Sequence, residues 1–236
     1  MAKADSRGEI PVIAIDGPGG SGKGTISRRV AAALGWHLLD SGALYRLVGL
    51  DATRQGLDLD DAESIAALAR ELDVSFDPAA ADSRIMLRGV EVTDEIRTET
   101  AGVAASRVAA LPAVRSALVD RQRAFRERPG LVADGRDMGS VIFVDSPLKI
   151  FLTASVAERA RRRYKQLKDK GIDVSLSALS KDMRERDRRD SERAVAPLKA
   201  CPDARILETT SMSIDEVVST VLDWAAETYR AVDGKR

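Results

Sequence analysis

The clearest chemistry in this 236-residue chain belongs to a glycine-rich segment at residues 17–25, which reads Gly17-Pro18-Gly19-Gly20-Ser21-Gly22-Lys23-Gly24-Thr25. Glycines let the backbone turn its N–H groups toward an anion, and Lys23 adds a mobile cation. The spacing Gly17-x4-Gly22-Lys23 fits the Walker A pattern, although Gly24 follows the lysine and Thr25 is the hydroxyl available for magnesium. The segment therefore predicts a site for a nucleoside triphosphate.

Two further polar groups each follow a short apolar run. They are Asp40-Ser41 with Tyr45 and Arg46, and Asp134 with Arg136 and Asp137. In open α/β sheets, ligands bind outside the carboxyl ends of the strands. Both groups are therefore candidate ligand contacts.

A strongly basic segment follows in the last third of the chain. Residues 159–193 contain 13 basic and seven acidic residues, whereas the charges of the whole chain balance. Helical spacing places two sets of side chains on single faces: Arg186, Arg189, Asp190 and Arg193, and before them Arg159, Arg162 and Arg163. Two interpretations stay open, namely a solvated face whose charges pair with one another and a lid that closes over polyphosphate.

Apolar patterns predict the elements that must hold these groups. Strands are expected at residues 10–15, 36–39, 131–133, 148–152 and 205–208, and helices at 26–34, 42–55, 60–71, 112–127, 156–170, 177–193 and 213–229. Thr93 or Asp94 is expected to cap a helix that runs to about residue 110, and Ser155 is expected to cap the helix at residues 156–170. Residues 73–92 have the pattern of a small antiparallel meander. We expect a five-stranded parallel sheet with helices on both faces, interrupted by a β-containing insertion.

Composition excludes several classes of protein. Lysine plus arginine equals aspartate plus glutamate at 37 each, so nothing indicates a nucleic-acid partner. The single cysteine, Cys201, rules out an internal disulfide and a multi-cysteine metal site. Residues 1–9 lack a signal-peptide core, and no apolar run approaches the roughly 18 residues of a membrane span, so a cytoplasmic protein is expected. His37, the one histidine, lacks the partner pattern of a catalytic residue.

Six segments give the chain a close resemblance to the bacterial cytidylate kinases, a family of nucleoside monophosphate kinases. The segments are residues 15–25, Leu38-Leu39-Asp40-Ser41-Gly42-Ala43-Leu44-Tyr45-Arg46, Glu95-Ile96-Arg97-Thr98, Gln122-Arg123-Ala124-Phe125-Arg126, Ala133-Asp134-Gly135-Arg136-Asp137-Met138-Gly139 and Arg193-Ala194-Val195-Ala196-Pro197-Leu198. The second and fifth together are specific to this family, whereas the glycine-rich loop alone indicates only a kinase or another NTPase.

This resemblance implies an α/β fold with a single P-loop kinase domain over residues 1–236, in which a nucleoside monophosphate (NMP)-binding insertion spans about residues 73–100 and a helical lid about residues 155–173. It implies magnesium-dependent transfer of the ATP γ-phosphoryl group to CMP or dCMP, giving CDP or dCDP in pyrimidine nucleotide metabolism. The expected partners are ATP and CMP or dCMP, the expected cofactor is Mg2+, and the expected state is a monomer without nucleic acid or membrane.

The resemblance also implies roles for single residues. Residues 17–25 and Arg159 would bind ATP, with Thr25 holding the metal through water. The residues that would stabilise the transfer are Lys23, Arg136, Arg162 and Arg193. Those that would bind CMP are Ser41, Arg46 and Arg136 at the phosphate, Ser106, Arg115 and Asp137 at cytosine, Arg186 and Asp190 at the sugar, and Arg193, Tyr45 and Asp134 around them.

The chemistry of cytosine agrees with these roles. Its N4 amino group can donate to a carboxylate such as Asp137, and its O2 and N3 can accept from a guanidinium such as Arg115. Uracil has a carbonyl where cytosine has the amino group, so UMP should be a weak substrate. Asp16 and Asp134, at strand ends near the loop, could hold magnesium through water or cap neighbouring turns, and both interpretations stay open.

Three rival functions fit the sequence less well. A nucleotide-dependent switch protein needs an Asn-Lys-x-Asp signature for guanine, and the chain has no asparagine. A nucleic-acid-binding ATPase would interleave aromatic residues with its arginines, and the basic segment has only Tyr164. A kinase of another small acceptor, such as AMP or a shikimate-like metabolite, would differ in the residues that read the base.

Overall fold

The computed structural model describes residues 10–77, 84–169 and 171–233 and, within them, every side chain except those of residues 76, 77 and 231–233. The strands are β1 (Val12–Asp16), β2 (His37–Asp40), β3 (Val74–Asp77), β4 (Arg84–Leu87), β5 (Val90–Glu91), β6 (Leu131–Gly135), β7 (Leu148–Thr153) and β8 (Arg205–Glu208). The helices are α1 (Lys23–Leu34), α2 (Ser41–Arg54), α3 (Ala62–Arg70), α4 (Glu99–Val108), α5 (Pro112–Ala124), α6 (Val156–Asp169), α7 (Leu176–Glu192) and α8 (Ile214–Asp233). Two compact units result, one formed by the residues up to 40 and from 123 onward, the other by residues 41–122.

A parallel sheet with strand order β2-β6-β1-β7-β8 is the centre of the first unit. Strand β1 lies in its middle, where Ile13 pairs with Val132 of β6 on one side and with Leu148 of β7 on the other. Every residue of β1 and β6 is buried, as expected for strands whose two faces are both covered. The predicted sheet of five parallel strands is confirmed, and it brings the carboxyl ends of β1, β2 and β6 to one edge.

Two glycines shape the turn between β1 and α1. Gly17 has φ +151°, and a Cβ at this position would lie 2.0 Å from the carbonyl oxygen of Leu152. Gly22 precedes α1 in the left-handed conformation, with φ +97°. A larger residue at Gly17 would clash with β7, and one at Gly22 would be strained. Strand, glycine loop and helix therefore follow one another as the sequence predicts.

The C-terminal helix α8 closes one face of the sheet. Its buried Val217 and Val221 belong to the same apolar cluster as Ile13 of β1. The Tyr229 hydroxyl donates to the carbonyl oxygen of Val12 at 2.7 Å, and its ring meets Trp36 edge-on with centroids 5.4 Å apart. The last helix thereby fixes the strand that enters the glycine loop.

Helices α6 and α7 form a hairpin within the first unit. The Ser155 hydroxyl accepts from the Glu158 N–H at 3.2 Å and caps α6, as predicted, and Gly171 follows the helix with φ +73°. Leu167 of α6 and Leu179 of α7 are buried against each other in a small apolar cluster. The hairpin contains the predicted lid at residues 155–173.

The second unit combines helices with a small antiparallel sheet. Its strands follow the order β3-β4-β5, and Arg88 (φ +48°) and Gly89 (φ +76°) form the turn between β4 and β5. A Cβ at Gly49 of α2 would lie 2.9 Å from the Cβ of Ala104, so α2 and α4 approach too closely for any larger residue. The predicted meander is confirmed, and the predicted insertion at residues 73–100 lies inside this unit. Residues 78–83 of the predicted meander lie outside the described residues.

The predicted start of the helix after the meander is wrong. Neither Thr93 nor Asp94 caps it: a short 3-10 helix occupies Glu95–Arg97, and α4 begins later, capped by the Thr98 hydroxyl, which accepts from the Ala101 N–H at 3.2 Å. Thr93 instead lies in the turn after β5, where its hydroxyl accepts from the Ile85 N–H of β4 at 3.0 Å. Two threonines five residues apart both have the chemistry of a cap, and only the pairing of β4 distinguishes them.

None of the helices within residues 10–77, 84–169 and 171–233 is by itself long and apolar enough to cross a membrane; α4 and α5, which are bent by 103°, reach that length and composition only as a pair.

Candidate functional site

Lys23, the first residue of α1, is enclosed by the loop that precedes it. Its ammonium donates to the Pro18 carbonyl oxygen at 3.1 Å and lies 3.8 Å from Asp134 Oδ1, with 7% of the side chain exposed. Burial, and after it the nearby Arg136 cation, lower the pKa of Lys23 to about 8. An ammonium has three donors, and the named contacts use two at most. The site therefore favours an additional anion at Lys23.

Asp134, near the end of β6, lies beside the beginning of α1. A Cβ at Gly24 would lie 3.6 Å from Asp134 Oδ2. Burial raises the pKa of Asp134 to about 7, although Lys23 acts in the opposite direction. Thr25 is exposed one residue further on. A hydroxyl and a carboxylate thus lie at the same end of the loop, and both are hard oxygen donors.

These two oxygen donors fit a magnesium ion that is shared with a nucleotide. Among the residues that the structure describes, no group of three His, Cys, Asp or Glu side chains could hold a metal by itself. Mg2+ in kinases usually keeps several waters and is bound by one or two protein oxygens together with substrate phosphates. The residues present suit a metal that arrives with phosphate.

Asp16 makes different contacts from Asp134, although both lie at or near the carboxyl ends of buried strands. Its Oδ1 accepts from the Met138 N–H at 2.8 Å and its Oδ2 from the Gly139 N–H at 2.9 Å. Burial raises the pKa of Asp16 to about 6, while these two N–H groups lower it. Of the two interpretations that the sequence leaves open for Asp16, the geometry favours the cap of a turn.

Arg159 of α6 connects the loop to both helices of the hairpin. Its Nη1 donates to the Gly19 carbonyl oxygen at 2.9 Å and to Asp187 Oδ1 at 3.1 Å, and its Nε donates to the Ala154 carbonyl oxygen at 3.0 Å. Its Nη2 pairs with the other oxygen of Asp187, and 4% of the arginine side chain is exposed. The guanidinium therefore lies beside the loop with most of its donors occupied.

Arg162, one turn later, makes a similar set of contacts. Its Nη1 donates to the Ser21 carbonyl oxygen at 3.1 Å, its Nη2 to the Thr209 carbonyl oxygen at 2.6 Å and its Nε to Glu158 at 2.8 Å. Hydrogen bonding to Arg161, and after it to Arg162, lowers the pKa of Glu158 to about 2 against the effect of desolvation. Arg159, which is assigned to ATP, and Arg162, which is assigned to the transfer, thus both contact the backbone of the glycine loop.

A second group of charges lies where β6 ends and α7 passes. Arg136 Nε donates to Asp190 Oδ2 at 3.0 Å. A Cβ at Gly19 would lie 3.4 Å from Arg136 Nη2 and 3.6 Å from Arg186 Nη1, so both guanidinium groups are close to the loop. Burial raises the pKa of Asp190, but Arg136, together with Arg186 and Arg193, more than offsets it and holds the pKa below its ordinary value. Arg193 ends α7, and its Nε donates to the Ala196 carbonyl oxygen.

The first unit therefore brings together most of the predicted loop and lid residues. Around the loop it gathers Lys23, Asp134, Arg136, Arg159, Arg162 and Arg186, with Asp190 bound to Arg136. Asp137 is 2% exposed at the end of β6. Such a concentration of cations around turned backbone amides can hold a polyphosphate and neutralise charge that moves between phosphates.

The second unit contains the other predicted acceptor residues. Arg115 lies over the ring of buried Tyr45, 5.6 Å from its centroid, and its Nη1 donates to the Ala109 carbonyl oxygen at 3.2 Å. Arg46 Nη1 donates to the carbonyl oxygens of Ile96 and Thr98 at 2.9 and 3.2 Å. Ser41 is buried at the start of α2, and Ser106 is half-buried on α4. The guanidinium groups are thus held by backbone and ring contacts within the unit.

Two residues of the loop surroundings are absent from the sequence prediction. Asp187 lies one residue after Arg186, so helical spacing places it beside the predicted face, and its pairing with Arg159 could have been considered. Thr209 accepts from Arg162 through its backbone carbonyl at 2.6 Å and through its hydroxyl at 3.3 Å, and because it is 47 residues away in sequence, no local pattern could have paired the two.

Comparisons with known proteins agree closely with one another. Residues 13–227 match the family model described as cytidylate kinase. The chain is 62% identical over 219 residues to a cytidylate kinase of Pseudomonas aeruginosa strain UCBPP-PA14, covering 91% of this chain and 95% of that protein. It is 63% identical over 216 residues to one from Pseudomonas paraeruginosa strain PA7 (90% and 94%) and 55% identical over 217 residues to one from Aeromonas salmonicida strain A449 (92% and 94%).

Similarity to solved structures is weaker. A gluconokinase from Sinorhizobium meliloti 1021 overlaps 96% of this chain and 98% of its own, with 15% identity and a TM-score of 0.46. A score at that level adds nothing to the sheet and loop described above.

Proposed function

The chain belongs to the cytidylate kinase family and therefore transfers the γ-phosphoryl group of ATP to CMP or dCMP; we propose that residues 17–25 and Lys23 hold the phosphates of ATP during this transfer. The observation that carries the proposal is the buried ammonium of Lys23 inside a glycine loop, with a pKa lowered to about 8. Such a cation gains most when an anion replaces the water it has lost.

The proposed mechanism needs neither a side-chain nucleophile nor a general base. The acceptor phosphate has a second pKa of about 6, so it is already largely an oxyanion at neutral pH. The enzyme must align two anions that repel each other and neutralise the charge of the transferring group. We assign this role to Lys23, Arg136, Arg162 and Arg193, the first three of which lie at or near the glycine loop.

Magnesium belongs to the same proposal. Thr25 and Asp134, both through water, are the residues that would hold the ion, which when bound would neutralise phosphate charge. The structural support is the position of Asp134 Oδ2 near Gly24, next to Thr25. Burial also raises the pKa of Asp134 to about 7, and a cation would favour its charged form.

We propose that CMP is bound by the residues that the family resemblance assigns to it. These are Ser41, Tyr45, Arg46, Ser106, Arg115, Asp134, Arg136, Asp137, Arg186, Asp190 and Arg193. Asp137 would accept from the cytosine N4 amino group, and Arg115 would donate to O2 and N3. The support is chemical: each group complements the part of cytidylate that it is assigned to. The two nucleotides are the only partners in this proposal, and the enzyme acts as a cytoplasmic monomer.

An assay of ADP release tests the assignment of the acceptor. We expect CMP and dCMP to be phosphorylated far faster than UMP, AMP or dTMP, and Lys23→Ala, the control without a loop cation, to be inactive. Asp137→Ala should lower kcat/KM for CMP by at least about 10-fold while leaving the Kd for ATP unchanged, because the cytosine amino group loses its acceptor. Faster turnover with AMP or dTMP than with CMP would contradict the assigned base contacts.

A further inference from the structure

The chain turns sharply after β6, directly after Arg136 and Asp137. The turn that follows, Met138–Ile142, is wider than an α-helical turn, because the Ile142 N–H donates to the Asp137 carbonyl at 3.3 Å and the Phe143 N–H to that of Met138 at 2.7 Å. The first N–H groups of any helical turn have no acceptor inside that turn. Here the N–H groups of Met138 and Gly139 are bound by a side chain from another strand.

That side chain is Asp16, the last residue of β1. The sheet register pairs Asp16 with Gly135, so its carboxylate lies beside the point where β6 ends. It accepts from Met138 and Gly139 at 2.8 and 2.9 Å, and 6% of the residue is exposed. Water has little access to replace these two bonds if the carboxylate is lost.

Keeping a charged group at this position is costly. Burial, with a smaller contribution from the neighbouring Asp137 carboxylate, raises the pKa of Asp16 to about 6 even though the two N–H groups act in the opposite direction. A cap that only ended a turn could be a neutral Ser or Asn, which would avoid most of that cost. A carboxylate instead offers two acceptors in one plane, one for each of two consecutive N–H groups.

We propose that Asp16 is a positioning residue for acceptor recognition, which fixes the backbone after Arg136 and Asp137 and so aims these two side chains at CMP. The inference rests on the proposed function, since it is there that Arg136 and Asp137 contact CMP. Asp16 itself touches neither nucleotide. It acts by restricting where the end of β6 can move, so that the acceptor does not have to order this segment when it binds.

Asp16→Asn is the variant that tests this role. The amide keeps one acceptor and directs a donor at the second N–H, so one of two charge-assisted bonds is lost and the other is weakened. We expect KM for CMP to rise about 10-fold or more and the preference of kcat/KM for CMP over UMP to fall, while KM for ATP stays within about twofold. Equal increases of both KM values, or no change in either, would overturn the proposal.

Asp61→Asn is the matched control. Asp61 also accepts from two backbone N–H groups, those of Glu63 and Ser64 at 3.2 Å each, but it does so at the exposed start of α3. The two substitutions are chemically identical, so Asp61→Asn should leave both KM values unchanged. If Asp61→Asn raised KM for CMP as much as Asp16→Asn does, the effect could not be attributed to the turn after β6.

Amide hydrogen exchange provides a second measurement that does not depend on how well the variant folds. In the unmodified enzyme, Met138 and Gly139 should exchange slowly without nucleotide, and CMP, but not ATP, should slow the segment 138–143 further. Fast exchange of both amides in the free enzyme would overturn the proposal. An unmodified enzyme that does not phosphorylate CMP would contradict the proposed function. If the unmodified enzyme is active but Asp16→Asn leaves KM for CMP unchanged, only this inference is contradicted.

Discussion

At the scale of single residues, the glycine loop is surrounded by ionisable groups whose pKa values burial has moved. The pKa is lowered to about 8 for Lys23 and raised to about 7 for Asp134 and about 6 for Asp16, and in each case desolvation is the largest cause. Each shift reflects the unfavourable free energy of removing a charged group from water when the protein folds. A site that must bind charged phosphates receives them best when its own charges are already desolvated and oriented.

Asp187→Asn tests the importance of one buried ion pair for this arrangement. Asp187 holds Arg159, whose side chain is 4% exposed, against the Gly19 carbonyl. Removing the negative charge leaves a buried guanidinium without its carboxylate, so we expect the free energy of unfolding to fall by about 2–4 kcal/mol and KM for ATP to rise several-fold. Urea unfolding and steady-state kinetics measure the two effects.

The pair of Arg188 and Glu192 on the same helix offers a control. Their charged atoms are 3.0 Å apart, but both side chains are 62% exposed. Glu192→Gln should therefore change the unfolding free energy by less than about 0.5 kcal/mol and leave KM for ATP unchanged. If Asp187→Asn and Glu192→Gln change the unfolding free energy and KM for ATP equally, burial of the Arg159–Asp187 pair contributes neither to stability nor to ATP binding.

Sequence alone identifies residue types at this scale but not their partners. Lys23 and the glycines are recognisable because their spacing along the chain is itself the signal. The role of Asp16 cannot be recognised in this way, since its carboxylate accepts from the N–H groups of Met138 and Gly139. These residues are distant in sequence and come close to Asp16 only once β1 and β6 pair. Both interpretations of Asp16 therefore stayed open until the register of the sheet was known.

At the scale of helices and strands, boundaries depend on which of several possible caps the tertiary structure selects. Thr93 and Thr98 both have hydroxyls suited to capping a helix. Thr93 binds the Ile85 N–H of β4, and Thr98 alone accepts from an N–H of α4. Strand pairing thus removes one candidate and leaves the other.

Thr98→Ala should lower the free energy of unfolding by about 1 kcal/mol, because the Ala101 N–H loses its acceptor at the start of α4. Thr100→Ala, an exposed substitution within the first turn of the same helix, is the control and should have a smaller effect. Urea denaturation followed by circular dichroism measures both. A Thr98→Ala protein as stable as the parent would show that α4 does not depend on this cap.

The elements that the sequence predicts well are those with a regular spacing of apolar residues or with a capping residue at a recognisable position. The five strands of the parallel sheet, the meander and the Ser155 cap of α6 all follow from local pattern. The wide turn at Met138–Ile142 does not, because its N–H groups are bound by a residue of another strand and no local pattern encodes it. Elements that depend on hydrogen bonds to residues distant in sequence, as this turn does, cannot be predicted from the local pattern.

At the scale of the whole molecule, the raised pKa values of Asp16 and Asp134 link folding to pH. A carboxyl whose pKa is higher in the folded state than its ordinary 3.8 binds its proton more tightly when folded. Its stabilising contribution is complete below about pH 4 and is lost as pH rises through the folded-state pKa. Through these two groups, the free energy of unfolding falls as pH rises from about 4 to about 7. Salt-bridged carboxylates usually have the opposite effect.

The difference in unfolding free energy between the parent protein and Asp16→Asn isolates one of these contributions. With a folded-state pKa of about 6, we expect this difference to decrease by about 2 kcal/mol between about pH 4.5 and about pH 7.5, since the variant has no proton to lose there. Urea unfolding at several pH values gives the curve. A difference that is independent of pH, or that increases, would show that Asp16 has an ordinary pKa in the folded protein.

The central place of β1 in the sheet has a consequence for biosynthesis. Both neighbours of Ile13, Val132 and Leu148, are translated more than a hundred residues after it. A nascent chain leaving the ribosome therefore carries β1 as an apolar strand without its final neighbours until β6 and β7 have been synthesised, a state that is prone to aggregation and slow to fold. Protection of this strand during synthesis, by folding helpers or by rapid translation of β6 and β7, would therefore limit aggregation.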